Sequence, residues 1–266
     1  MEKIFNMDQF LLKWPHAMET ISKNNIKIVN IKGIYEDYIE YKNSYENQAN
    51  FIANILRSEK MVHSVKSRIK DPYALIEKVI RKTEDRKSKY GDEFQFTVDN
   101  YKDEINDLIG IRVIHIFKDQ WQEIHEFILK TWNVIEITAN VRAGDNIEFF
   151  EDPSIEVRSK ASGYRSVHYL VEFYPTSQKV IVEIQVRTIF EEGYAEIDHR
   201  LRYSHNEIPE ILQSNLLLFN RIVGSADEMA SLINNITKEW GVKEVSYKKI
   251  IEEQKVEISK LKNKSR

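Results

Sequence analysis

The fold is decided by the stretch from Ser159 to Ser204, which reads SKASGYRSVHYLVEFYPTSQKVIVEIQVRTIFEEGYAEIDHRLRYS. Val167 to Tyr174 and Lys179 to Val186 are rich in β-branched and aromatic residues, which predicts two strands joined by a Pro-Thr-Ser turn. The second strand carries one acid, Glu183, between aliphatic neighbours. A buried carboxylate is costly unless it is paired or binds a metal, so Glu183 needs a partner.

Two features border this pair of strands. Before it, a glycine turn groups residues of mixed chemistry, namely Gly163, Tyr164, Arg165 and His168. After it, an amphipathic helix starts at Thr188, where Thr188 and Glu191 have the spacing of a capping box. The stretch therefore predicts a turn, two strands and a helix in immediate succession.

The middle of the chain adds further strands. Asp107 to Phe117 predicts a strand that is entered through a glycine, and Asp119 to Trp132 predicts a helix packed on it. Val134 to Thr138 and Ile147 to Phe150 predict two short strands.

Helices are predicted at both ends of the chain. They are residues 34–59 near the N-terminus and residues 208–237 and 242–261 near the C-terminus. Pro15 interrupts a shorter helical stretch before them, and Gly241 separates the last two. Tyrosines recur along the 34–59 helix at three-to-four spacing, which is more often packing or a subunit contact than a cofactor site.

A basic segment lies between residues 62 and 90. Asp71 is predicted to cap a helix that starts near Pro72. Three cations accompany this helix start, namely Arg68, Lys70 and Lys78. Such a group suits a polyanion such as a nucleotide polyphosphate, and a solvated basic helix face explains it equally well from spacing alone.

Two acids lie near strands that are predicted to share a sheet. Asp107 comes just before one strand and Glu183 lies within another, so the two converge if the strands are neighbours. Two carboxylates around one hard cation are the usual arrangement for Mg²⁺ bound to a nucleotide. Taken alone, Asp107 is more often a cap or turn residue.

Composition narrows the class of protein. The chain has 266 residues, of which 42% are hydrophobic, so it can bury a sizeable core. A net charge of −3 gives no global basic field of the kind a nucleic-acid coat needs. Because the chain has no cysteine, disulfides and thiolate metal sites are excluded. The sequence also contains no run of about 20 apolar residues, which a membrane-spanning helix requires. We therefore expect a cytoplasmic protein without membrane partners.

A series of motifs resembles the synthetase domain of the RelA/SpoT family. The motifs are VKSRIKDP from Val65, NDLIGIRVIHIF from Asn106, KASGYRSVHYLV from Lys160, VEIQVRT from Val182 and EIDHRLRY from Glu196. The resemblance covers roughly Val62 to His205, and the chain length and helical flanks are similar to the single-domain small alarmone synthetases.

The resemblance implies a fold and a reaction. The fold is α+β, a mixed sheet of about five strands flanked by helices and similar to nucleotidyltransferases. It implies a synthetase domain at residues 62–206, with helical regions at 1–61 and 207–266. The reaction is transfer of the β,γ-pyrophosphate of ATP to the ribose 3′-hydroxyl of GDP or GTP, which gives (p)ppGpp and AMP.

The resemblance also implies a role for each motif residue. Asp107 and Glu183 match the Mg²⁺-binding and catalytic acids, and the resemblance also implies Glu183 as the position of a base for the 3′-hydroxyl. The ATP-binding positions are Arg68 and Arg112, which sandwich adenine, and Lys70 and Lys78, which bind phosphates. The acceptor-binding positions are Lys160, Tyr164, Arg165 and His168, with Tyr164 stacking on guanine.

Some positions depart from the family pattern. Ser162 stands where an asparagine is frequent, and Tyr194 stands where a tryptophan is frequent. These departures leave the acceptor open among GDP, GTP, GMP, ATP and tRNA. Alternative readings are a toxic relative that acts on the tRNA 3′-CCA end or makes adenosine alarmones, and an inactive nucleotide sensor. The hydrolase half of long family members has no room, so no alarmone hydrolysis is expected.

The terminal helices exceed what the catalytic sheet needs for cover. Related small synthetases assemble through such helices, so a homo-oligomer is expected. A neutralising antitoxin protein is the alternative partner for the same helices.

Overall fold

The computed structural model describes residues 4–145, 147–175, 179–204 and 209–264. Thr176 and Ser177 of the predicted turn, and the predicted boundary between residues 206 and 207, lie outside the described residues.

A single mixed sheet forms the centre of the molecule. Its strands are β1 (Ser64–Ile69), β2 (Ile109–His115), β3 (Asn133–Val141), β4 (Ile155–Ser159), β5 (Ser166–Phe173) and β6 (Val180–Thr188). They lie in the order β1-β2-β6-β5-β3-β4. The β2–β6 and β3–β4 pairs are parallel and the other pairs are antiparallel. The predicted mixed α+β fold is confirmed, with six strands among the described residues instead of about five.

The sheet has one apolar face and one charged face. Side chains alternate along a strand, and residues paired across strands point to the same side. In β6 this alternation sends Val182, Ile184 and Val186 into the core and Glu183 to the other side. The register places Arg68 of β1 beside Gly110 of β2, and Gly110 beside Glu183. We call the side that carries Arg68, Arg112, His168, Glu183, Gln185 and Arg187 the charged face.

The apolar face is covered by helices from the N-terminal half of the chain. These are α1 (Met7–Lys13), α2 (Ala17–Lys23), α3 (Ile28–Leu56) and α4 (Pro72–Tyr90). In α3 the predicted tyrosine stripe is packing, since Tyr35, Tyr38 and Tyr45 are buried, although Tyr41 is exposed. The Tyr38 hydroxyl also donates to the Lys70 carbonyl oxygen at 2.7 Å, which ties α3 to the charged end of β1.

Four further helices complete the part of the fold that the structure describes. They are α5 (Tyr101–Glu104), α6 (Trp121–Thr131), α7 (Ile189–Ser204) and α8 (Glu210–Lys264), with short 3₁₀ helices at Lys118–Gln120 and Glu148–Phe150. The predicted caps are confirmed. Asp71 accepts from the Ala74 amide at 3.0 Å. Thr188 and Glu191 exchange hydrogen bonds of 2.9 and 3.1 Å at the start of α7.

Two predicted elements are wrong. Ile147 to Phe150 is no strand, because β4 takes the place beside β3, and Glu148–Phe150 forms a 3₁₀ helix. The two predicted C-terminal helices are one helix, α8, which runs through Gly241 without a break. A glycine inside a helix costs only about 1 kcal/mol, which the good helix formers around it outweigh. Strands β1 and β4 were not predicted, since both are short and largely polar.

Tyr169 provides a test of the core. Its hydroxyl accepts from Trp121 Nε1 at 3.0 Å and lies 3.0 Å from His125 Nδ1, with all three side chains buried. Tyr169→Phe leaves these two buried polar groups without their partner, so we expect the free energy of unfolding in urea to fall by about 1–3 kcal/mol. Tyr174→Phe at an exposed position is the control and should change it little. Equal effects of both variants would contradict the prediction.

Candidate functional site on the charged face

Glu183 lies near the middle of the charged face. Its side chain is 18% exposed, and its carboxylate lies 3.3 Å from His168 Nδ1 and accepts from Gln185 Nε2 at 2.7 Å. Burial acts to raise the pKa of Glu183, but the hydrogen bond and charge of His168 outweigh it, and the pKa falls below its ordinary value. Glu183 is therefore held as a carboxylate at neutral pH.

Asp107 lies between two lysines. Lys70 Nζ lies 2.6 Å from one carboxylate oxygen and Lys78 Nζ lies 2.9 Å from the other. Burial acts to raise the pKa of Asp107, but both lysines outweigh it and hold the pKa below its ordinary value of 3.8. Burial and the nearby charges of Lys78 and Arg68 lower the pKa of Lys70 despite its acidic partner. This corner holds more positive charge than Asp107 neutralises.

The two acids lie at the same part of the sheet. Gly110, three residues after Asp107, is paired with Glu183 in the parallel register, and the charge of Asp107 acts on the pKa of Glu183. Gly110 leaves a notch in this row. A Cβ there would meet only the Arg68 side chain, at 3.4 Å from its Nε. The exposed Arg68 side chain therefore lies over this notch, on the same face as Glu183.

The carboxylates suit a hard cation that arrives with its own oxygen ligands. Among the described residues, no group of three or more His, Cys, Asp or Glu side chains forms a complete metal site. Mg²⁺ is usually held by one or two carboxylates together with substrate phosphates. Asp107 and Glu183, beside the Gly110 notch, fit that requirement.

Arg68 and Arg112 lie on the same face of neighbouring strands. Arg68 is exposed and lies over Gly110. Arg112 is instead held by α7, where it forms ion pairs with Glu192 at 3.4 Å and with Glu196. To flank a flat ring together with exposed Arg68, Arg112 must first leave its acidic partners on α7.

The glycine turn presents Tyr164 to the charged face. Gly163 has a φ of +76°, a conformation that favours glycine. The Tyr164 hydroxyl lies 3.0 Å from His168 Nε2 and accepts from Arg187 at 2.9 Å. His168 therefore joins Tyr164 to Glu183 through its two ring nitrogens.

The other two predicted acceptor residues lie differently. Arg165 turns away from Glu183 and forms a two-pronged ion pair with Asp145, at 2.6 and 2.9 Å, so the structure does not bring it to the two acids. Lys160 begins the glycine turn, and its amide donates to the Val141 carbonyl at 2.8 Å. Its partly exposed side chain stays a predicted phosphate contact.

Sequence reasoning missed a buried charge cluster between this face and α7. Arg187 and Glu192 are both almost fully buried and lie 3.3 Å apart, and Glu192 also pairs with Lys66 at 3.1 Å. With Arg112 and Tyr164, they connect the adenine side of the predicted site to its guanine side. The alternation of side chains along β6 places Arg187 on the same face as Glu183 and is readable from the sequence. No local signal indicates that Arg187 pairs with an acid of α7.

A separate cavity of about 460 Å³ lies beneath α8. Its walls include Trp121, Phe150, Arg165 and Asn235, but none of Asp107, Glu183 or Tyr164. The predicted site on the charged face is thus distinct from this cavity. None of the helices that the structure describes combines the length and the apolar character of a membrane-spanning segment.

Fold and site define an α+β protein with a charged sheet face whose cations suit polyphosphate ligands. The chain belongs to the RelA/SpoT family: residues 67–208, more than half of its length, match the model of the region found in RelA / SpoT proteins. The resemblance inferred from the motifs is confirmed.

Named relatives agree with this membership. The GTP pyrophosphokinase YwaC of Bacillus subtilis is 25% identical over 181 residues, which are 66% of this chain and 75% of YwaC. The structure of small alarmone synthetase 1 from Bacillus subtilis superposes with a TM-score of 0.56 at 24% identity, over 76% of this chain and 95% of that chain. Its form bound to its product pppGpp gives a TM-score of 0.53 at 23% identity, over 73% and 93%.

Asp107→Asn tests the lysine cluster. The variant leaves Lys70 and Lys78 without their buried partner, so we expect the free energy of unfolding at pH 7 to fall by about 3 kcal/mol. Because the pKa of Asp107 is lowered on folding, its contribution is present above pH 3.8 and is lost as the pH falls through the folded-state value. The difference between wild type and variant should shrink below about pH 4.

The measurement is urea unfolding across that pH range. Asp92→Asn, at an exposed position, is the matched control and should show no comparable loss. A loss for Asp107→Asn that is independent of pH would contradict the prediction.

Proposed function

We propose that the protein is a GTP/GDP pyrophosphokinase of the small alarmone synthetase type. It transfers the β,γ-pyrophosphate of ATP to the ribose 3′-hydroxyl of GDP or GTP and releases AMP. The observation that carries the proposal is the pair of carboxylates, Asp107 and Glu183, among the cations Arg68, Lys70 and Lys78 on one open face. The activity named for YwaC and the product bound to small alarmone synthetase 1 support it.

The ATP side of the site is the corner around Asp107. Lys70 and Lys78 hold the polyphosphate once they exchange Asp107 for phosphate oxygens, which their surplus positive charge favours. Arg68 and Arg112 flank adenine, since planar guanidinium groups stack on flat rings. Arg112 reaches this position by leaving Glu196, its more exposed partner.

Mg²⁺ is the cofactor of this proposal, and Asp107 and Glu183 would hold it. When bound, the ion neutralises charge on the transferred phosphates and orients them for attack. The lowered pKa of Glu183 keeps its carboxylate ionised, which suits a metal ligand. The same carboxylate is the predicted acceptor of the 3′-hydroxyl proton, and His168 fixes its orientation from the acceptor side.

The acceptor side is the glycine turn. Tyr164 stacks on guanine, a contact worth about 1–3 kcal/mol per base. Lys160 and His168 face the phosphates and ribose of the acceptor. In this proposal Arg165 acts indirectly, because its ion pair with Asp145 stabilises the glycine turn. Its part in the site is therefore to hold the backbone next to Tyr164.

We place the reaction in the cytoplasm, where ATP and guanine nucleotides are available, and residues 62–206 form its synthetase domain.

Helix α8 exposes large apolar side chains along its length, among them Ile222, Met229, Ile236 and Trp240, which supports a homo-oligomer. An antitoxin protein is the alternative partner of that surface.

Glu183→Gln tests the reaction. The amide keeps the shape of the side chain but removes its charge, so we expect Mg²⁺-dependent transfer of label from γ-³²P-ATP to GDP or GTP to fall at least 100-fold, while most nucleotide binding remains. Glu136→Gln, on the same side of the sheet but on β3 and more exposed, is the matched control and should retain activity.

The choice of acceptor decides between the alternatives. GDP, GTP, ATP and bulk tRNA are offered separately to the wild type, and labelled products are separated by thin-layer chromatography. Label on tRNA or ATP alone would retain the chemistry and overturn the proposed substrate. No transfer to any acceptor would favour the nucleotide sensor.

Light scattering tests the oligomer. We expect the mass in solution to be a multiple of the 31.5 kDa chain, because a monomer would leave the apolar side chains of α8 in water. Trp240→Glu should shift the distribution toward smaller species, and Lys243→Glu on the same helix is the control. A clean monomer for the wild type would contradict the prediction.

A further inference from the structure

Helix α8 reaches the glycine turn through one buried asparagine. Asn220 is 1% exposed. Its Nδ2 donates to the Gly163 carbonyl at 2.8 Å, and its Oδ1 accepts from Arg165 Nη1 at 3.1 Å. Both hydrogen-bonding ends of the side chain are therefore used, on either side of Tyr164.

The fit between Asn220 and the turn is close. A Cβ on Gly163 would lie 2.6–2.9 Å from the amide atoms of Asn220, which is closer than real Cβ contacts allow. Gly163 is thus required twice, by its positive φ and by the side chain that lies against it. The glycine at this turn is therefore required in part by Asn220, which lies 57 positions away in the sequence.

Further contacts fix the same turn from the helices. The Tyr194 hydroxyl of α7 donates to the Ser162 carbonyl. On α8, a Cβ at Gly224 would lie 3.1 Å from Arg165 Nη2, so this glycine leaves the space that the guanidinium occupies. Residues on both sides of Tyr164 are therefore anchored to α7 and α8, while the Tyr164 ring itself lies against His168 and Arg187.

We propose that Asn220 is a positioning residue for the acceptor nucleotide, so that α8 forms part of the acceptor site without touching the nucleotide. The proposal rests on the function proposed above. Asn220 fixes the backbone on both sides of Tyr164, and a ring that is already oriented loses less conformational entropy when a base stacks on it. Removal of Asn220 should weaken acceptor binding and leave ATP binding unchanged, since Lys70 and Lys78 lie on other elements.

The first experiment measures nucleotide binding by calorimetry. We expect Asn220→Ala to weaken GDP binding about tenfold, which corresponds to the loss of one to two hydrogen bonds. Binding of a non-hydrolysable ATP analogue should stay within about twofold. Asn220→Asp retains an acceptor for Arg165 but loses the donor to Gly163, so it should resemble Asn220→Ala. Asn215→Ala, at an exposed asparagine of α8, is the matched control.

The second experiment does not depend on nucleotides. In the free protein, amide hydrogen exchange over residues 160–165 should be faster in both Asn220 variants than in the wild type and in Asn215→Ala. Exchange across β2 and β6 should be unchanged. Wild-type binding of GDP without any pyrophosphate transfer would defeat the proposed function, whereas the Asn220 proposal is judged on binding and exchange alone.

Either of two results would overturn the proposal. One is unchanged GDP binding and unchanged exchange in the Asn220 variants. The other is equal weakening of GDP and ATP-analogue binding together with faster exchange throughout the sheet, which would make Asn220 a general stabilising residue.

Discussion

Strand β6 must satisfy two environments at once, and the rest of the structure depends on this constraint. Its alternating side chains place Val182, Ile184 and Val186 against the core helices, while the intervening positions carry Glu183 and Arg187. A shift of register by one residue would bury the charges and expose the valines, so the hydrophobic pattern fixes which residues face the site. Because β6 lies between β2 and β5, it aligns both neighbours with itself.

The charged face is stabilised by pairing its charges with one another. Isolated buried charges are costly, and here the acids of the sheet and of α7 are matched with nearby cations. A chain of contacts crosses the face from Glu183 through His168 and Tyr164 to Arg187. Arg187 is in turn paired with an acid of α7, Glu192. A face built in this way is ordered before any ligand arrives, which reduces the cost of assembling a site.

The sequence predicts those features that are local or that alternate along one element. The capping box at Thr188, the cap at Asp71 and the acid Glu183 are all readable from a few neighbouring residues. Contacts between distant elements leave no such signal. Asn220 is one polar residue in a long amphipathic helix, and nothing near it in sequence indicates that it lies against Gly163. The orientation of Arg165 toward Asp145 was missed for the same reason.

The ion pairs of Asp107 have a consequence for ligand binding. In the free protein, Lys70 and Lys78 both form ion pairs with the Asp107 carboxylate. A cation that binds alone must displace the two ammonium groups from Asp107. A phosphate that binds alone must separate the two lysines from Asp107. In the proposed function, a metal ion and a polyphosphate together supply new partners for the acid and for both lysines. Their binding would then be thermodynamically linked, with positive heterotropic cooperativity, and each ligand would raise the affinity for the other by the same factor.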